Sequence, residues 1–245
     1  MMPTGAALAS VAVIIPVFNE RDSLPLVVAD IPRECVREIV VVDNGSTDGT
    51  PRVASALPVR LVHEDRRGYG SACLAGIAAL QAAPPQVVVF LDGDYSDHPE
   101  EMSLLLDGIE AGADLVIGSR MLGKREPRAL LPQARFGNAL ACALVRLLFG
   151  RRYTDLGPFR AIRWEALESL GMEDRNFGWT VEMQIKAIRK GLRIAEVPVS
   201  YRRRVGVSKI TGTLAGTLRA GGKILWTIAR YGFGNRKSEI GNRDE

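Results

Sequence analysis

Short apolar runs alternate with longer mixed segments over the first half of the chain. Val11–Val17 is a β-branched run, and residues 38–43 (EIVVVD), 59–63, 86–92 (QVVVFLD) and 114–119 repeat the type. Between them, helical spacing is read at 22–30, from about 48, at 69–83 and at 99–110, the last opened by Pro99. Strands that read as continuous apolar runs are buried on both faces, and strands separated by helices pair in parallel through crossovers. The pattern predicts an α/β fold with a mostly parallel central sheet flanked by helices. Beyond residue 120 it changes. A loop is expected at 123–131, a helix at 135–149, a strand at 155–163 and a short helix at Trp164–Leu170. A helix over 180–190, a strand over 193–201, a basic loop over 201–209 and a helix over 213–231 complete the reading.

Composition narrows the class. With 245 residues, 47% hydrophobic and 24% charged, the chain can bury a sizeable core, which excludes a disordered, collagenous or disulfide-scaffold protein. Residues 1–150 carry 13 basic and 18 acidic side chains, whereas 151–245 carry 19 and 10, so the net +4 is concentrated in the C-terminal part. Such a part suits an anionic partner. Cys35, Cys73 and Cys142 are widely spaced in apolar stretches and read as buried, reduced thiols of a cytoplasmic protein. No stretch of about 18 apolar residues suggests a spanning helix. Residues 1–10 read as a disordered lead, 11–210 as the folded domain (11–120 and 121–210 as its halves), 211–233 as an amphipathic helix and 234–245 as a flexible tail.

In open α/β sheets, ligands bind beyond the carboxyl ends of the strands. Four successive strand ends here are polar: 16–20 (PVFNE), 43–46 (DNGS), 64–68 (EDRRG) and 92–94 (DGD). The last is the most informative. Two carboxylates one residue apart repel each other unless a cation lies beside them, and Mg²⁺ is commonly held by one or two carboxylates plus substrate phosphates. Asp97, before Pro99, reads as a helix cap.

Taken together, IIPVFNE (14–20), VVVDNGSTDGT (40–50), RRGYGSA (66–72), FLDGDYSDHPE (90–100), IGSR (117–120) and DLGPFRAI (155–162) resemble the family 2 glycosyltransferases of the nucleotide-sugar-binding, Rossmann-like GT-A fold. Within the family the chain is most similar to polyprenyl-phosphate mannose or glucose synthases of the dolichyl type. The resemblance implies an inverting hexosyltransferase using a UDP-glucose or GDP-mannose type of donor, a polyprenyl phosphate acceptor and Mg²⁺ or Mn²⁺. It places Pro16, Phe18 and Glu20 along the base and ribose, Asp43 on the base, and Gly68 where the backbone meets the nucleotide. Asp92 and Gly93 would face the ribose or metal, Asp94 would bind the metal, and Arg120 would support that site. It sets Asp155 and Glu182 near the acceptor as candidate catalytic carboxylates. Asn44, where the family often has Asp, is given a turn role, and Ser96 stands where related mannose synthases place a metal-binding Gln.

The run Tyr201–Arg204 with Ser208 and Lys209 resembles the basic loop that closes over the diphosphate in such enzymes, with Arg202, Arg203 and Lys209 as its phosphate contacts. The last helix carries an apolar stripe (Leu214, Leu218, Gly221, Leu225, Ile228) and a second one (Arg219, Lys223, Trp226, Arg230) suited to an anionic membrane surface. Peripheral contact at the inner face of the plasma membrane is therefore expected. The reading assigns no oligomeric state and no nucleic-acid partner, since the basic loop lacks interleaved aromatic residues beyond Tyr201. Two alternatives stay open: the same fold acting on a hydroxyl acceptor, and a non-catalytic nucleotide-sugar or membrane-binding module.

Overall fold

The computed structural model describes residues 10–206 and 214–233. The expected leader, Ser208 and Lys209 of the basic loop, and the expected tail fall outside the described residues, as do the side chains at 214 and 218. Seven strands form one sheet: β1 (Val11–Val17), β2 (Val36–Asp43), β3 (Arg60–His63), β4 (Val87–Phe90), β5 (Leu115–Ser119), β6 (Arg160–Arg163) and β7 (Ile194–Pro198), in the order β3-β2-β1-β4-β6-β5-β7. Every pairing is parallel except those of β6, which runs antiparallel to both β4 and β5.

Alternation within the apolar runs explains the layers. Ala12, Ile14, Val40, Val42, Val88 and Phe90 face one core, while Val11, Val13, Ile15, Val41, Val87 and Val89 face the other. The first core is covered by α3 (Tyr69–Leu80), α5 (Pro132–Phe149), α6 (Trp164–Leu170) and α7 (Trp179–Arg189), with α8 (Leu214–Phe233) packed on α5 and α7. The second is covered by α1 (Leu24–Asp30) and α4 (Met102–Glu110). A short helix, α2 (Thr50–Ser55), follows β2. The small-residue stretch of α3 has a packing reason: a Cβ on Gly76 would lie 2.6 Å from Ile14 of β1.

Four expectations need correction. The strand expected over 155–163 is confined to Arg160–Arg163. Side chains hold the preceding backbone instead: Glu196 accepts the Thr154 N–H at 3.0 Å, and Asn138 accepts that of Leu156 at 2.9 Å. Asp97 caps no helix. A 3₁₀ turn at Pro99–Glu101 precedes α4, and both carboxylate oxygens of the buried Asp97 lack a hydrogen-bond partner. Burial accordingly pushes its carboxyl well above the usual carboxylate range. Cys35 is half-buried rather than buried, unlike Cys73 and Cys142. On α8 the inward face is Ile224, Thr227, Ile228 and Tyr231, whereas Leu225 is partly exposed.

Candidate active site

β1 lies inside the sheet, with β2 on one side and β4 on the other, so the chain reverses its winding direction between β1 and β4. A crevice opens at the carboxyl ends of strands at such a switch point. Here it has a volume of about 490 Å³. Pro16 near the end of β1 and Phe18 just after it, Asn44 after β2, Gly68 and Tyr69 at the start of α3, and Asp92, Gly93 and Asp94 after β4 line it. Asn176 and Phe177 close one wall, and Arg204 and Arg219 border it from the C-terminal part.

The acidic turn is tightly built. Asp94 is buried and accepts the Ser96 N–H at 2.9 Å and the Ser96 hydroxyl at 2.5 Å. Ser96 thus orients the carboxylate. The Tyr69 hydroxyl donates to Asp92 Oδ1 at 3.1 Å. Burial and then the neighbouring Asp94 push Asp92 up to about 7. Between the two carboxylates and Ser96 the chain reverses through Tyr95, whose φ of +62° is costly for a bulky side chain. A clamp holds it there: its hydroxyl donates to Asp30 at 2.5 Å, and the Arg202 guanidinium lies 3.4 Å over its ring.

The counter-charge at this turn is Arg204, whose Nη2 lies 2.6 Å from Asp94 Oδ2. Burial would depress this guanidinium, but Asp94, Tyr201 and Asp92 more than offset it and hold it raised. Chain register explains why Arg204, and neither Arg202 nor Arg203, reaches the acids. The basic segment runs antiparallel to 94–97: Tyr201 bridges Asp97, the Arg202 N–H donates to Ser96 O at 2.9 Å, and the Val205 N–H to Asp94 O at 3.0 Å. Arg202 therefore sits over Tyr95, donating to its carbonyl at 2.8 Å and to that of Asp97 at 3.2 Å. Arg203 points outward, 3.9 Å from Glu126. Arg202 and Arg203, expected on the diphosphate, thus do not line the crevice.

At the other end of the crevice, Asp43 does not line the wall. Its buried carboxylate accepts the N–H groups of Gly45 (3.2 Å) and Ser46 (3.3 Å), which fixes the turn after β2. Asn44 lines the wall instead and locks the next loop. Its amide donates to the carbonyls of Glu64 (2.9 Å) and Arg66 (2.8 Å), and its oxygen accepts from Gly68 N (2.8 Å). A carboxylate could make only the last of these bonds, which accounts for Asn here. Arg67 stacks 4.0 Å over Phe18 and donates to Asn44 O at 2.8 Å. Glu20, also on the wall, accepts the Ser23 hydroxyl at 2.9 Å. Gly68 has a φ of +142°, and a Cβ there would meet the Arg175 carbonyl at 2.0 Å. The close approach it permits is therefore to the protein's own 174–175 loop.

Three further candidates stand back from the crevice. Asp155 is fully buried and bound by Arg120 through both its guanidinium and its backbone N–H, at 2.7–2.9 Å. Arg120 also lies 5.2 Å over Tyr201, so this pair braces the base of the basic segment. Glu182, 1% exposed, accepts the N–H groups of Glu173 (3.1 Å) and Asp174 (2.7 Å) and the Tyr231 hydroxyl (2.8 Å), and pairs with Lys186 at 3.0 Å. It shapes the loop that carries Asn176 and Phe177. Neither carboxylate lines the crevice. Conversely, Tyr69, Asn176 and Phe177 line the crevice without a role expected from the sequence, and Arg219, expected on the membrane-facing stripe of the last helix, borders the crevice instead. Only Tyr69 had a local signal, through its place beside the Gly-rich start of a helix.

A model of glycosyl transferase family 2 matches residues 12–171. The chain belongs to glycosyl transferase family 2. As a glycosyltransferase it is 37% identical over 214 residues to an uncharacterized glycosyltransferase of Mycobacterium tuberculosis, covering 86% of this chain and 94% of that one. It is 35% identical to a polyprenol monophosphomannose synthase of Mycolicibacterium smegmatis, covering 82% and 81% of the two chains. To an undecaprenyl-phosphate mannosyltransferase of Micrococcus luteus it is 34% identical, covering 92% and 95%. Among solved structures, a glucosyl-3-phosphoglycerate synthase of M. tuberculosis in complex with Mn²⁺, UDP and phosphoglyceric acid shares the fold of this glycosyltransferase. The TM-score is 0.72 at 23% identity, over 91% of this chain and 78% of that one.

The residues present fit a divalent cation on a diphosphate. Two carboxylates supply the hard oxygen donors, and substrate phosphates and water complete such a shell. Among the described residues no group of three or more His, Cys, Asp or Glu forms a self-sufficient cage.

Proposed function

We propose that this glycosyltransferase moves a hexosyl group, with inversion, from a nucleoside diphosphate sugar to a polyprenyl phosphate, in a reaction that needs Mg²⁺ or Mn²⁺. The observation that carries the reading is Arg204 meeting Asp94 at the mouth of the β1–β4 crevice. There a fork of donors and an acidic pair face the same volume, as a diphosphate and its cation require. Identity to synthases named for polyprenol and undecaprenyl phosphates supports the acceptor class.

In this reaction an acceptor phosphate oxygen bonds to the anomeric carbon while the bond to the diphosphate breaks, and the nucleoside diphosphate leaves with the electron pair. Negative charge grows on the leaving group. Arg204, released from Asp94, would meet that charge, and preorganised contacts of this kind are commonly the largest catalytic term. Asp94 and Asp92 would hold a divalent cation, which would supply Lewis-acid stabilisation of the diphosphate. Phe18 and Arg67 would flank the base, and Asn44 would hold the loop beneath it. A phosphate acceptor arrives ionised and needs no base. The engagement of Asp155 and Glu182 away from the crevice favours it over a hydroxyl acceptor.

The test offers purified protein GDP-mannose or UDP-glucose, with Mn²⁺, Mg²⁺ or EDTA, and a short-chain polyprenyl phosphate or 3-phosphoglycerate. Mass spectrometry should find a glycosylated polyprenyl phosphate only with a divalent ion. Transfer to 3-phosphoglycerate alone, or full activity in EDTA, would sink the proposal.

A further inference from the structure

A second cavity, of about 440 Å³, lies between the end of α7, the end of α8 and the turn after α6, and shares no residue with the donor crevice. On α8, Arg219 of the crevice and Arg230 of this cavity are eleven residues apart, about 16 Å along the axis. Lys186, Arg189, Lys190 and Arg230 line it, against one carboxylate, Glu173. Lys186 is neutralised by Glu182 from behind and donates to Gly171 O. Arg189 donates to the Tyr231 carbonyl and has no carboxylate partner among the described residues. The exposed Lys190 side chain makes no hydrogen bond or ion pair among the described residues. Among the described residues the only carboxylate partner of Arg230 is the exposed Glu173, at 3.7 Å. A helix C-terminus favours cations, which accounts for Lys186 and Arg189 in the last turn of α7. It does not account for Arg230, which comes from another helix to face them.

The surroundings indicate where the anion comes from. Trp226, Arg230 and Phe233 follow one another at i, i+4 and i+7 on α8, so they share a face. Trp226 is 52% and Phe233 69% exposed, and Arg230 lies 5.5 Å over the Trp226 ring. Aromatic side chains beside a guanidinium and an open cationic pocket suit the headgroup level of an anionic bilayer. We propose that this cavity is a phosphate-binding site, separate from the donor crevice, that takes the phosphate of an anionic phospholipid. It orients the enzyme on the membrane independently of which sugar or acceptor the crevice handles.

Binding is read without donor or metal, so failure of the transferase reading would not touch the result. The full chain is sedimented with vesicles of phosphatidylcholine, alone or mixed with phosphatidylglycerol. A parallel arm follows its melting in glycerol phosphate at constant ionic strength. Lys190→Gln with Arg230→Gln is compared with Arg33→Gln and Arg52→Gln, an equal change of charge on the α1–α2 side. Each cation near an anionic surface contributes about a factor of five, so the cavity pair should lose about 30-fold in binding to the anionic vesicles. The control pair should bind as wild type. Lys190→Gln alone guards against misfolding and should lose about fivefold. Protection by glycerol phosphate that the cavity pair abolishes, with vesicles silent, keeps the site and makes its ligand a soluble phosphate ester. Cavity and control pairs behaving alike in both arms overturn the proposal.

Discussion

Replacing Arg204 by Gln removes the only guanidinium among the described residues in contact with the acidic pair, a 2.6 Å ion pair to Asp94, and leaves a shorter, uncharged polar side chain. Removing one preorganised donor to developing charge costs about 10²–10³ in kcat, or roughly 3–4 kcal/mol of transition-state stabilisation. The neighbouring arginines supply internal controls. Arg203 is exposed and 3.9 Å from Glu126, an arrangement whose median worth is about 0–1 kcal/mol, so Arg203→Gln should stay within roughly threefold of wild type. Arg202→Gln should fall between them, because it loosens Tyr95 without touching the acids. A second signature separates Arg204 from a merely structural residue. Without donor, its guanidinium competes with a cation for Asp94, so Arg204→Gln should bind Mn²⁺ more tightly while turning over more slowly. Steady-state transfer kinetics and titration calorimetry with Mn²⁺ make the two measurements. Equal losses for Arg203→Gln and Arg204→Gln, or weaker Mn²⁺ binding by Arg204→Gln, would refute the register argument.

Asn44→Asp should destabilise the protein by about 2–4 kcal/mol, because two carbonyls lose their donor and face a carboxylate. The melting temperature should then fall by roughly 5–15 °C, and an unchanged melt would discredit this account of the loop. Asp92 is raised to about 7 in the native state, above its usual unfolded value of about 3.9. The native state therefore holds a proton that the unfolded chain has lost, and metal-free stability should decline as pH rises from about 4 to 7. A cation displaces that proton, so the stabilisation by Mn²⁺ in thermal melts should be larger at about pH 7.5 than at about pH 5.5. An increment independent of pH would count against it. Glu182→Gln should raise the donor KM more than it lowers kcat, since it acts through the loop bearing Asn176 and Phe177. A kcat loss as large as that of Asp94→Ala would instead make Glu182 a catalytic base.

The sheet was legible because a strand buried on both faces leaves no polar alternation, as VVVF at β4 and VAVIIPV at β1 illustrate. Their polar ends pointed to the crevice for the same reason. Partnerships set by long-range register were not legible. Nothing local in RRR tells which arginine will oppose Asp94; that depends on where an antiparallel segment docks. The buried states of Asp155 and Glu182 likewise depend on Arg120, 35 residues away, and on Tyr231, 49 residues away. At the turn after β2 the sequence placed an acid and an amide side by side. Only the geometry showed that the acid fixes its own turn while the amide faces the ligand volume.

Tyr95, held at positive φ between Arg202 above and Asp30 beyond, ties three distant pieces of chain into one latch. A residue kept in that conformation stores about 1–3 kcal/mol, released as soon as the grip fails. Undocking of the segment after β7 would therefore slacken the peptide that aims Asp94, and the aspartate would lose its bearing at the moment the crevice opens. Opening to exchange product for fresh donor and disarming the chemistry would be one mechanical event, which leaves little time for water to intercept an activated sugar.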